Sequence, residues 1–438
     1  MFSESNRVRP PIWRRGYCRV LLALLALPPL VPSPVVAGNT ERIAELERKI
    51  DILAGELRRL RESQAIPAKP EPAGVHGLAP AASRVYGSDR GPSLGGYGEA
   101  NLEQIIGDKG NSTEVFDAAR LVLYLGYKFN ERILFNSEIE IEHASTSESG
   151  SVSLEFAALE FMMHPRANVR AGLLLVPMGF VNEMHEPPFF HGNLRPQVEQ
   201  QLIPSTWSAN GIGLYGELLP GLDYRSYVVT GLDAKGFGAN NLRSARQKGS
   251  KEKAEDFAWV TRFDYAPIAE LTLGASLYLG NSGQGQLFVN ADSEDVEIDA
   301  YTEIYEAHAQ WKSHNLELRA LGTTIRVDDA EVLSSDIGET VAERMSGYYA
   351  EIAYDLASLL HLPGDHYLAP WFRYSNINTQ ERVPEGFAAD LDAVRDIYEL
   401  GLSYKPITEV VLKLDFRRQE SRGQALADEL RIGGGFVF

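Results

Sequence analysis

The sequence predicts an all-β fold, a 16-stranded antiparallel transmembrane β-barrel carrying a short N-terminal coiled-coil helix. Three observations lead there. From residue 95 to the last residue, apolar side chains recur at every second position in sixteen short segments. The connections between those segments alternate between long and short. The chain also opens with a basic, then apolar, then small-residue stretch of the kind that directs export.

Arg7, Arg9, Arg14, Arg15 and Arg19 precede an apolar run from Val20 to Leu27, and Val35, Val36 and Ala37 supply the small residues before a cleavage point. Residues 1–37 are expected to leave as a signal peptide. Prolines at 28, 29, 32 and 34 would break a helix retained as an anchor. Cys18 lies ahead of the apolar run, whereas a lipid-bearing cysteine would follow it. The 438-residue chain has 42 Lys and Arg against 60 Asp and Glu, a net charge of −18. Residues 1–37 hold five Arg and one Glu, so the remainder carries 37 bases, 59 acids, a net −22 and no cysteine. That acidity excludes nucleic acid as a partner, because phosphate binding needs a basic footprint. A disulfide framework is excluded with it.

Residues 38–64 read as a coiled coil. Ile43, Leu46, Ile50, Leu53, Leu57 and Leu60 are spaced alternately by three and four, the a/d seam of a heptad repeat. Glu56 at g and Arg61 at the following e suit an interchain pair, so self-association is expected. Residues 65–94 hold Pro67, Pro70, Pro72, Pro80 and Pro92 among Ala and Gly, and read as an extended linker.

Residues 95–438 form the expected barrel. Ile133, Phe135, Ile139 and Ile141 alternate with Asn136, Glu138, Glu140 and Glu142; Val410, Leu412, Leu414 and Phe416 alternate with Lys413, Asp415 and Arg417. A strand with lipid on one face and water or protein on the other needs that pattern. A soluble sandwich would share it, so the connections decide: long ones near 105–114, 178–208, 233–255, 281–296, 327–345 and 376–393 alternate with tight turns such as 130–132 and 406–408. The stretch 356–366 is longer than a tight turn. A barrel of sixteen strands is wide enough to leave an aqueous lumen.

Candidate site residues follow from this geometry. The longest mixed connection, Met178 to Ala209, contains Glu183, His185, Glu186, His191, Arg195 and Glu199, and its Phe189, Phe190, Trp207 and prolines suit a loop folded into the lumen. These six are the expected constriction. On the polar faces of the strands, Arg120, Glu138, Glu140, Glu217, Arg225, Arg262, Arg319, Arg373, Lys413 and Arg417 are the expected pore wall. Eight bases against nine acids on those faces is not the basic ladder an anion pore needs. Acids on the loop facing bases on the wall would instead set a transverse field.

The chain from the coiled coil to its end resembles the phosphate-selective porin O and P family of Gram-negative outer membranes. The resemblance is carried by Leu174-Leu-Val-Pro177-Met-Gly179-Phe180, by Ser346-Gly-Tyr-Tyr349-Ala-Glu351-Ile-Ala-Tyr354, and by Leu402-Ser-Tyr404-Lys-Pro406 with Val411-Leu-Lys413-Leu-Asp415. It implies a homotrimer of water-filled channels passing small hydrophilic solutes or ions, set in outer-membrane lipid and lipopolysaccharide. The terminal Phe438 resembles the assembly signal of outer-membrane proteins, which implies the barrel assembly machinery as a partner. General diffusion, anion selectivity and cation preference all stay open, as does a tethering role for the coiled coil in the periplasm.

No enzyme, metal site or cofactor is expected. His185 and His191 around Glu186 lack H-E-x-x-H spacing, and G-x-S-x-G, P-loop and C-x-x-C-H motifs are absent. A barrel lipase or protease, and a barrel that houses a partner's haems, remain the competing classes.

Overall fold

The computed structural model describes residues 74–106, 113–145, 150–424 and 426–438, together with Lys49. The expected signal peptide, coiled coil (Lys49 apart) and first part of the linker lie outside the described residues.

Sixteen strands close one antiparallel barrel in sequence order. The first four are β1 Gly91–Ile106, β2 Thr113–Asn130, β3 Ile133–Glu142 and β4 Val152–His164. Next come β5 Ala167–Leu175, β6 Ser208–Leu219, β7 Leu222–Thr230 and β8 Phe257–Ile268. Then follow β9 Leu271–Gly280, β10 Thr302–Ser313, β11 Leu316–Val327 and β12 Arg344–Tyr354. The circuit ends with β13 Tyr367–Arg382, β14 Val394–Ile407, β15 Val410–Ser421 and β16 Asp428–Val437. Each segment found by alternation is one of these strands. A further hairpin, Leu287–Val289 with Asp295–Glu297, and a helix, Ala330–Ile337, belong to long loops rather than to the barrel wall.

The alternation orients every strand. On β14 to β16 the side chains of Leu400, Leu402, Leu412, Leu414 and Ile432 are exposed on the outer surface, while Glu399, Ser403, Lys413, Asp415 and Arg431 are buried inside. Tight turns join even strands to odd ones, and the exception is again the 355–366 connection, where Asp355 accepts backbone N–H bonds from Ala357 and Leu368.

The inward faces are not uniformly polar. Val229, Ala258, Val260, Tyr278, Ile304, Leu321, Ile325, Met345, Ile377 and Ile397 form one buried cluster with residues of the long loops. Those loops fold over the barrel and cover this wall, so water does not reach it.

The circuit closes where the two chain ends meet. β1 pairs with β16 from Tyr97↔Val437 to Ile106↔Asp428. The last residue continues the ladder: Gly96 N–H donates to the Phe438 carbonyl at 3.0 Å and Phe438 N–H to the Gly96 carbonyl at 2.9 Å. The Phe438 ring lies where a Cβ on residue 96 would be.

The expected linker is folded over its described part. The first strand begins at Gly91 rather than 95, and residues 74–90 lie inside the barrel, with Leu78, Ala79, Ala81, Ala82 and Val85 buried. Small residues let a backbone pass through a crowded lumen, so the Pro- and Ala-rich composition serves a packed strap here as well as it would a solvated tether.

Deleting Phe438 removes two backbone bonds and a ring from the seam. The expected outcome is a markedly lower yield of the compact barrel, read as loss of the mobility difference between unheated and heated samples on a denaturing gel. Wild-type yield would show that the seam closes without it.

Candidate functional site

The β5–β6 connection, residues 176–207, folds inward. Its base is pinched by the bond from Val176 N–H to the Trp207 carbonyl, 2.9 Å. Asn182 locks that pinch: its Nδ2 donates to the carbonyls of Val176 and Trp207 at 2.6 and 2.9 Å, and its Oδ1 accepts from Trp207 N–H at 2.8 Å. The apolar side of the loop, Val176, Met178, Val198, Leu202, Ile203 and Trp207, is buried on the apolar inner wall. Each such side chain contributes roughly 1.5–3 kcal/mol on burial, which is what holds the loop in the lumen instead of in water.

Close approach to β16 depends on glycine. A Cβ at Gly435 would sit 2.5 Å from Pro187 of the loop, and one at Gly433 would overlap the Asn193 carboxamide. Any larger side chain on this stretch of wall would push the loop inward.

The six expected constriction residues are all buried in the lumen. Glu183 lies 3.4 Å from Arg225 and 3.8 Å from Arg262. Glu199 accepts from Val181 N–H at 2.8 Å and from the Tyr349 hydroxyl at 2.7 Å, tying the loop to β12. His185 places Nδ1 3.0 Å from the Asn182 carbonyl and Nε2 2.9 Å from Glu138. A carbonyl only accepts, so Nδ1 carries the proton, and Nε2 faces the Glu138 carboxyl. Burial and the nearby Arg195 guanidinium push the His185 imidazole down to about 3. The His191 carbonyl accepts from Arg373, and its ring meets Ser403. Glu186 accepts from the N–H groups of Ala81 and Ala82 at 3.0 and 3.3 Å.

Arg195 differs from the rest. It is 6% exposed, its Nη2 is buried, and it makes no hydrogen bond or ion pair among the described residues. It is close enough to act electrostatically on Glu138 and Glu155 of the β3–β4 wall. A loop cation therefore stands near acidic wall residues, whereas acids on the loop and bases on the wall were expected. The expected polarity holds elsewhere, at Glu183 with Arg225 and Arg262.

The expected wall residues face inward and are mostly paired. Arg120 bonds Glu99 at 2.6 Å and Glu140 at 2.9 Å. Arg225 pairs with Asp264, which also holds Arg262 at 2.8 Å. Arg319 lies 2.6 Å from Glu317 and donates to the Phe189 carbonyl at 3.0 Å. Arg373 is held by Glu351 and by Glu399 at 3.0 Å, and Arg417 by Glu429. Lys413 donates to the Gly192 carbonyl at 2.8 Å and lies over the Phe190 ring. Glu217 is the exception, since it is exposed at the rim and accepts from Gly221 N–H of the turn after β6.

Sequence reasoning missed a wall network and a row of groups. His308 lies 2.6 Å from Glu306 and 3.0 Å from Asp264, with Ser276 on Glu306. Both Glu306 and His308 occupy the polar positions of β10, so the alternation held that signal. Ser403 Oγ lies 3.0 Å from His191 Nδ1, and His191 Nε2 lies 3.9 Å from Glu317. That order of groups suggests a nucleophile and its base, but the cavity they border measures about 10 Å³. Such a space admits one water. Among the described residues no cluster of His, Cys, Asp and Glu is arranged to hold a metal ion.

No family model matches the chain. An uncharacterized protein of Aquifex aeolicus (strain VF5) is 34% identical over 396 residues, covering 87% of each chain. Among solved structures, Salmonella typhi OmpF in complex with daunomycin aligns with a TM-score of 0.54 at 15% identity, over 79% of this chain and 97% of that one. The outer-membrane channel DcaP of Acinetobacter baumannii aligns at 0.52 and 12% over the same shares. The anion-selective porin from Comamonas acidovorans aligns at 0.50 and 12%, over 79% and 99%. At these identities the likeness is one of fold, that of an outer-membrane porin barrel. The chain belongs to one family with the Aquifex aeolicus protein.

Two outcomes are expected. Gly435→Val drives a side chain into Pro187, and overpacking of this kind costs about 1–3 kcal/mol; the thermal midpoint should fall and the loop shift, read by protease access near Arg195. The second concerns Glu186, whose carboxyl burial pushes up to about 8 from 4.5, against the pull of two N–H donors. A raised folded value means stability present in full below the ordinary value and lost as pH rises through about 8. The denaturant midpoint should therefore fall between these pH values more steeply in wild type than in Glu186→Gln. Parallel profiles would refute the assignment.

Proposed function

We propose that this chain is an outer-membrane porin, a channel for passive diffusion of small hydrophilic solutes or ions. The observation that carries the reading is the loop folded into a closed sixteen-stranded barrel, with Arg195 left without a hydrogen-bond or ion-pair partner among the described residues. A cation at the narrowing biases passage by the sign of an ion's charge. The wall fits a general pore better than a phosphate-selective one: Arg120, Arg225, Arg262, Arg319, Arg373 and Arg417 each have a carboxylate partner. An anion ladder needs bases in excess of acids along the lumen. Anion selectivity, and membership of the phosphate-selective porins, rest on the resemblance of the quoted motifs alone.

The same reading makes residues 1–37 a signal peptide, residues 38–64 a periplasmic coiled coil that supports a trimer, and Phe438 the mark read by the barrel assembly machinery. The outer surface meets outer-membrane lipid and lipopolysaccharide. The protein is not an enzyme on this reading, since the Ser403–His191–Glu317 row borders a space too small for a substrate.

Purified protein in planar bilayers and in sugar-loaded liposomes tests the reading. Stepwise conductance and swelling with small sugars are expected, and folded barrels that show neither would overturn it. In a salt gradient, Arg195→Glu is expected to shift the reversal potential towards cations by tens of millivolts, since it adds two negative charges at the narrowing. An unchanged potential would remove Arg195 from the constriction.

A further inference from the structure

Residues 74–90 take up more of the lumen than a connector needs. Their turn is built internally: Val75 N–H donates to Ser83 Oγ at 2.9 Å and Ser83 Oγ donates to the Leu78 carbonyl at 3.0 Å. A short helix, Arg84–Gly87, then leads into β1. The strap is tied to the wall on several strands. Asn136 Nδ2 of β3 donates to the Ala82 carbonyl at 2.8 Å, and Lys128 Nζ of β2 to the Ser88 carbonyl at 3.1 Å. The Tyr86 hydroxyl donates to Glu160 of β4 at 2.7 Å and accepts from Arg170 of β5 at 3.0 Å. The His76 ring meets Tyr86 and Tyr215 edge-on, with centroids 5.0 and 5.1 Å apart.

Its position is set by the strands it touches. Lys128 lies near the end of β2 and Gly91 at the start of β1, on the side of the short turns. The strap therefore crosses the lumen on that side, along β1 to β7. Among the described residues its hydrogen bonds to the inserted loop come from the N–H groups of Ala81 and Ala82, both directed at Glu186 Oε1. Two successive amides on one carboxylate oxygen make a specific contact between a segment before the barrel and a loop 105 residues away. Leu78, Ala81 and Ala82 of the strap are buried in one cluster with Tyr97, Val122, Tyr124, Phe156 and Leu175, and Tyr86 packs against it. The hydrogen bonds to Glu186 and from Asn136 are buried as well, so the strap is a built part of the lumen.

We propose that residues 74–90 are a strap that partly closes the channel, latched by Glu186 of the constriction loop. The strap occupies cross-section that the wall alone would leave open. Its latch lies on the loop that defines the narrowest part, so docking couples the state of the strap to that of the constriction. The proposal rests on the channel reading.

Conductance of the full chain in planar bilayers is compared with that of two variants, an internal deletion of 75–87 and Glu186→Ala. The deletion is expected to raise single-channel conductance roughly twofold, because conductance follows open cross-section. Glu186→Ala is expected to add excursions to the higher level, as the strap undocks and returns. If wild type conducts and the folded deletion conducts equally, the strap is no obstruction and the proposal fails while the channel stands. If neither conducts, the channel reading fails and the strap with it. Should the deletion not fold, Glu186→Ala decides alone: excursions to a higher level support the latch, and a single unchanged level overturns it.

Discussion

A backbone N–H or C=O facing lipid without a partner costs several kcal/mol, so a sheet that crosses a membrane must have no edge. Everything else in this barrel follows from that requirement. It explains why β1 pairs with β16 along ten register positions and why the final residue still takes part, exchanging two bonds with Gly96. It also explains why sixteen segments are needed together, since no subset of them forms a closed ladder. Closure in turn creates an interior of fixed width, and the remaining sequence is concerned with filling or lining it.

The interior is filled in two ways. On the β7–β14 side, inward apolar residues such as Ile304, Leu321, Met345 and Ile377 meet Val198, Leu202, Ile203 and Trp207 of the inserted loop in one cluster. Buried charges line the wall on both sides, and many are held in ion pairs. A buried ion that loses its partner is strongly destabilising, so the pairs Arg373–Glu351, Arg262–Asp264 and Arg120–Glu140 fix side chains that would otherwise be free to move in a wide pore. Arg195 has no such pair among the described residues.

Much of this was legible in the sequence. Alternation located all sixteen strands and the side each residue faces, because the pleat has a fixed period of two. Composition located the inserted loop, through prolines and aromatics that do not suit a solvated connection. Legibility failed where one rule was applied to a surface that has two environments. Tyr278 and Ile304 point inward although they are apolar, because folded loops replace water as their neighbour. Residues 74–90 read as a tether for the same reason, since Ala, Gly and Pro are equally at home in a solvated linker and in a thin strap through a crowded lumen.

The sequence by itself determined the strand count, the two faces of each strand and the alternation of long and short connections. Those properties are written in near neighbours, at spacings of one to a few residues. Only the tertiary structure decided which charges meet. Arg373 donates to the carbonyl of His191, 182 residues away, Lys413 to that of Gly192 at a separation of 221, and Glu186 accepts from Ala81 across 105. A guanidinium on a polar face reads identically in sequence whether it lines open water or is neutralised by a carboxylate on the next strand. The difference is one of register and loop placement, which closure of the barrel imposes and no local pattern records.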